Sequence, residues 1–183
     1  MQLILMSGNS LRNRDWIFLV ESALKPLFEQ TYVTIYDHWA KAQPMADIDL
    51  EADKLAKLAR GLASEYAIFA KSIGSVITLK DIAESRITPS RLIITGLPLN
   101  LIEEIGLPIQ DWLKKLSVPT IIIQNSDDPA GSYSRIVDMT AAADKQNVLK
   151  LVEIPGNNTH DYNDLESLKS LVRDFIKTDW AGA

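Results

Sequence analysis

Six times along the chain, a short run of apolar, often β-branched residues is followed by a longer stretch in which apolar residues recur at helical spacing. The short runs are Gln2–Met6, Tyr32–Asp37, Tyr66–Ala70, Arg91–Thr95, Pro119–Gln124 and Val148–Ile154. The longer stretches include Asp15–Gln30, Asp49–Ala63, Gly74–Glu84, Pro108–Leu116, Ser132–Lys145 and Asp164–Lys177. A strand that is apolar on both faces must be covered on both faces, and strands joined through helices run parallel. With right-handed crossovers the alternation predicts a doubly wound, mostly parallel six-stranded sheet between two helical layers, a three-layer α/β/α fold. The 183 residues suit a single domain spanning 1–183, with no repeat or low-complexity linker to divide it.

Composition narrows the function classes. A formal net charge of −5, with no cluster of Lys or Arg, disfavours nucleic acid as a partner and a membrane surface equally. No apolar run has the length of a transmembrane helix. The apolar start is too short for a signal peptide and lacks basic residues ahead of it, so a cytoplasmic location is the expectation. The chain has no cysteine, which removes disulfides, thiolate nucleophiles and Cys-based zinc sites. The stretch Ser7–Asn13 has one glycine and matches neither a dinucleotide fingerprint nor a P-loop.

In a doubly wound sheet, ligands bind beyond the carboxyl ends of the strands. The segments there are Ser7–Trp16, Asp37–Met45, Lys71–Ser75, Gly96–Pro108, Asn125–Ser132 and Pro155–Asp164. A serine, an acid and a histidine thus fall on one edge of one sheet, in the order Ser72, Asp127 or Asp128, His160. That chain order goes with nucleophile elbows, in which a sharp strand-to-helix turn exposes the serine oxygen.

On these residues the chain resembles the α/β-hydrolase fold family, as a small serine hydrolase that lacks the family's first two strands and its cap domain. Ala70-Lys71-Ser72-Ile73-Gly74 is similar to the Gly-x-Ser-x-Gly elbow, with Ala70 in place of the first glycine. Asn125–Pro129 resembles the acid loop, and Gly156–His160 resembles the loop that carries the histidine. Ser7-Gly8-Asn9 resembles the oxyanion loop, with Ser7 where the family has histidine. The resemblance implies Ser72 as nucleophile, His160 as base and Asp128 as its orienting acid, with Asp127 as competitor. It implies an oxyanion hole made by the backbone N–H groups of Asn9 and Ile73, and chemistry with no metal or organic cofactor. The expected substrate is a small acyl compound, such as a short ester, with Leu97, Leu99, Leu101 and Ile102 as an apolar wall. Oligomeric state is left open. A non-catalytic binding protein on the same fold is the alternative. His38, Trp16 and Trp39 read as structural or packing residues, and Arg12, Arg14 and Lys71 as solvated loop charges.

Overall fold

The computed structural model describes residues 1–41, 43–145 and 147–180. Six strands form one all-parallel sheet: β1 (Gln2–Met6), β2 (Thr31–Val33), β3 (Tyr66–Lys71), β4 (Arg91–Thr95), β5 (Thr120–Asn125) and β6 (Leu149–Ile154). Their spatial order is β2-β1-β3-β4-β5-β6. The chain winds outward from β1 to β2, then returns to the other side of β1 with β3. The order therefore reverses between β1 and β3, which is where such sheets open a crevice at their carboxyl ends.

Side chains of successive strand residues alternate between the two faces. Ile4, Met6, Ile68, Ala70, Leu92, Ile94 and Ile122 belong to one core layer. They are covered by α3 (Ile48–Arg60), α4 (Ile73–Ala83), α6 (Ile109–Lys114) and α7 (Tyr133–Ala141). Leu3, Leu5, Phe69, Ile93, Ile121 and Ile123 face the other way, under α1 (Arg12–Leu24) and α8 (Leu165–Lys177). Two short helices, α2 (Asp37–Lys41) and α5 (Leu99–Glu104), follow the ends of β2 and β4.

Several boundaries differ from the sequence expectation for local reasons. The first helix ends at Leu24, and a 3₁₀ turn follows over Lys25–Leu27. Pro26 lacks the N–H that would continue the α-helical ladder. Asp15 lies inside the first turn of α1, because the helix already begins at Arg12. The second strand is only three residues long, not Tyr32–Asp37. Beyond Val33 the chain turns inward, the Tyr36 hydroxyl donates to the Ser7 carbonyl (2.8 Å), and Asp37 opens α2. Asp164 caps the last helix, its Oδ1 accepting from the Ser167 N–H at 3.0 Å.

Candidate active site

Ser72 stands between β3 and α4 with φ 51° and ψ −121°. A non-glycine residue with positive φ is strained, and such strain persists only where the surroundings over-determine it. Three bonds do so. The Ser72 N–H donates to the Thr95 carbonyl of β4 (3.1 Å), the Gly74 N–H donates to the Ser7 carbonyl (3.1 Å), and the Ser75 hydroxyl donates back to the Ser72 carbonyl (2.5 Å). The turn also needs Gly74. A Cβ there would lie 2.7 Å from the Ser7 oxygen and 2.9 Å from Met6. Ala70, by contrast, is fully buried and accommodated in the core beside β1 and β4. The elbow therefore forms despite the missing first glycine.

Asp128 follows β5 and is buried. Its carboxylate is fully engaged. Oδ1 accepts from the Ala130 N–H (2.8 Å), Oδ2 accepts from the Tyr162 hydroxyl (2.8 Å), and His160 Nδ1 lies 2.9 Å from both oxygens. A carboxylate accepts only, so Nδ1 carries the proton and Nε2 presents its lone pair. That Nε2 has no hydrogen-bond partner among the described residues, so no Ser72–His160 bond is formed here. Asp127 is exposed, and its N–H donates to the Asn157 carbonyl (3.1 Å). It is Asp128, then, that meets His160.

The histidine loop is tied to the end of β5 by side chains that the motifs did not single out. Asn125 Nδ2 donates to the carbonyls of Thr159 (2.8 Å) and Asp161 (3.2 Å), on either side of His160. The Asn125 N–H donates to the Tyr162 hydroxyl (3.1 Å), which in turn donates a hydrogen bond to Asp128. Burial and the Asp128 charge hold the Tyr162 phenol well above its ordinary pKa, so it stays a donor. Gly96, after β4, has φ +62° and lies under the ring: a Cβ there would approach His160 Cε1 and Tyr162 Cε2 to 2.8 Å. The signal available in the sequence was only a glycine directly after a strand.

The oxyanion-loop candidates sit at the switch point between β1 and β3. Neither the Asn9 nor the Ile73 backbone N–H donates a hydrogen bond among the described residues. Lys71 corrects the expectation of a solvated charge. It is 2% exposed, with Nζ donating to Asn13 Oδ1 (3.1 Å) and lying 5.4 Å from the centre of the Trp16 ring. Its position in β3 places it on the α1 side of the sheet, where burial lowers its pKa from 10.5 to about 8. Arg12 and Arg14 are exposed as expected.

Leu97, Leu99 and Ile102 are core residues rather than an open wall. A cavity of about 590 Å³ lies next to them, lined by Leu99 and Ile102 of α5, Leu107 in the loop before α6, and Arg135 and Met139 of α7. Ser72, Asp128 and His160 do not line it. Among the described residues, no three His, Asp or Glu side chains converge as a metal site. None of the described helices is long and apolar enough to cross a membrane.

No protein-family model and no curated protein sequence matches the chain. Solved structures do match in shape. A Butyrivibrio proteoclasticus protein with ferulic acid bound superposes with a TM-score of 0.74 at 18% identity, over 96% of this chain and 87% of that one. An α/β serine hydrolase homologue from Coxiella burnetii gives 0.74 at 17% identity, over 95% and 84%. An α/β serine hydrolase without a lid, from Xanthomonas campestris, gives 0.71 at 17%, over 96% and 80%. The chain has the α/β-hydrolase fold.

Proposed function

We propose that the protein is a serine hydrolase that cleaves small esters through Ser72, His160 and Asp128. The observation that carries this reading is the buried Asp128–His160 pair, with Nε2 left unpartnered, on the same sheet edge as the strained Ser72 elbow. An unassisted serine hydroxyl is a poor nucleophile and needs a base that is itself oriented. In the proposed reaction His160 Nε2 takes the Ser72 proton as Oγ attacks the ester carbonyl. Asp128 holds the tautomer and stabilises the imidazolium. The N–H groups of Asn9 and Ile73 receive the developing oxyanion. Loss of one such donor costs about 2.7–4 kcal/mol of transition-state stabilisation in enzymes of this type.

His160 then delivers its proton to the leaving alcohol, and water hydrolyses the acyl group on Ser72 by the same steps. The base–nucleophile hydrogen bond commonly tightens only with substrate in place, so its absence here is compatible with this sequence of steps. The likeness to α/β serine hydrolases supports hydrolysis in general. The ferulic acid held by the Butyrivibrio protein makes esters of a small carboxylic acid the first substrate series to try.

A fluorophosphonate probe tests the proposal. It is expected to label the wild type and to leave Ser72→Ala unlabelled, with turnover of p-nitrophenyl acetate lost in Ser72→Ala and in His160→Ala. Equal labelling of wild type and Ser72→Ala refutes the assignment of the nucleophile.

A further inference from the structure

His38 and Trp39, which read in the sequence as packing residues, converge on a single atom. His38 Nε2 lies 2.8 Å from the Asn9 carbonyl oxygen, and Trp39 Nε1 donates to the same oxygen at 2.9 Å. A carbonyl only accepts, so His38 carries its proton on Nε2; its buried Nδ1 has no partner among the described residues. Both lone pairs of that oxygen are thereby filled.

The Asn9 side chain is tied to the same segment. Its Oδ1 accepts from the Ala46 N–H and its Nδ2 donates to the Pro44 carbonyl, each at 2.9 Å. The backbone N–H is the one polar group of Asn9 without a hydrogen bond among the described residues.

The clamp is itself braced. The Asp37 N–H at the start of α2 donates to Glu51 Oε1 (2.9 Å), a side chain that α3 buries. The neighbouring Tyr36 hydroxyl donates to Ser7, whose carbonyl also receives the Gly74 N–H of the elbow. The rings of Tyr36 and His38 pack against Trp39 at centroid distances of 5.0 and 5.5 Å.

We infer that His38 and Trp39 are positioning residues for the oxyanion hole: by saturating the Asn9 carbonyl they fix this residue so that its uncommitted N–H is held in one direction beside the elbow. A preorganised donor needs no reorganisation as charge develops, which is where such donors gain their effect. The inference rests on the serine-hydrolase reading above.

The test compares Trp39→Phe, which keeps a ring and deletes the donor, with His38→Leu and His38→Gln, of which only the second can donate near the Nε2 position. Two quantities are read. One is kcat and KM for p-nitrophenyl acetate. The other is the affinity of an alkylboronic acid, whose boron bonds to Ser72 Oγ as the hydroxyl proton passes to His160, leaving a tetrahedral anion.

Trp39→Phe and His38→Leu are expected to lower kcat about 10-fold or more, below the 10²–10³ of losing a donor outright. KM stays within about twofold, boronate affinity falls in proportion to kcat/KM, and His38→Gln recovers most of the loss. A folded Trp39→Phe, judged by its Tm, with unchanged kcat and boronate affinity overturns the inference and leaves the hydrolase reading intact. If Trp39→Phe does not fold, equal kcat in His38→Gln and His38→Leu overturns it. A wild type that neither turns over the ester nor binds the boronate overturns both readings together.

Discussion

Lys71→Met isolates the effect of a charge buried directly beside the candidate nucleophile. The ammonium is 2% exposed, and burial lowers its pKa from 10.5 to about 8; Asp161 and Asp128 oppose that shift, and Arg12 adds to it. A folded pKa below the unfolded one means that the unfolded chain binds more protons between those values. Stability therefore rises with pH across that window, and the penalty is fully present below it. Lowering the pKa from 10.5 to about 8 corresponds to about 3 kcal/mol at pH 7, of which about 1 kcal/mol remains at pH 10. Methionine removes the charge and keeps the stem's volume, but it forfeits the hydrogen bond to Asn13, worth about 1 kcal/mol. The variant is expected to be more stable than wild type by about 2 kcal/mol at pH 7 and equal to it by about pH 10. Urea unfolding of both proteins at pH 7, 8.5 and 10 measures the gap. A gap that does not change with pH, or a variant less stable at pH 7, refutes the claim that Lys71 is charged and desolvated in the folded state.

Three further outcomes follow from the site. Gly96→Ala adds a Cβ 2.8 Å from the His160 ring at a position with φ +62°. It is expected to cost at least about 1–2 kcal/mol in urea unfolding through backbone strain alone, and to lower ester turnover more than 10-fold by displacing His160. Tyr162→Phe removes a donor to Asp128 and leaves the buried Asn125 N–H without an acceptor, so a loss of about 1–3 kcal/mol is expected in the same assay. Asp128→Asn is expected to lower kcat about 10⁴-fold by reversing the His160 tautomer, whereas the exposed Asp127→Asn leaves kcat unchanged. Comparable losses in the two variants refute the choice between the acids.

The layering of the fold and the edge that carries the candidate site were legible from local patterning. Short, continuously apolar strands and helices with a period of 3.6 are local patterns. Their alternation dictated a parallel sheet, and hence which residues stand at its carboxyl end. Ser72 and His160 were placed on that edge by strand position alone, as was the pair Asp127 and Asp128. The remaining features were not legible there, because they are contacts between segments far apart in the chain. Asp128 rather than Asp127 faces His160 because the acid loop curls to give its carboxylate the Ala130 N–H and the Tyr162 hydroxyl. Lys71 reads as a loop charge, yet it is the last residue of β3 and α1 covers it, so its partners are Trp16 and Asn13. Gly96 matters only because a histidine about sixty residues later rests on it. The three-residue length of β2 and the clamp on Asn9 have the same origin. Tyr36, His38 and Trp39 leave the strand pattern because their polar atoms find Ser7 and Asn9, about thirty residues earlier. Periodicity records which face a residue buries; which partner it meets there is set only when the segments pack.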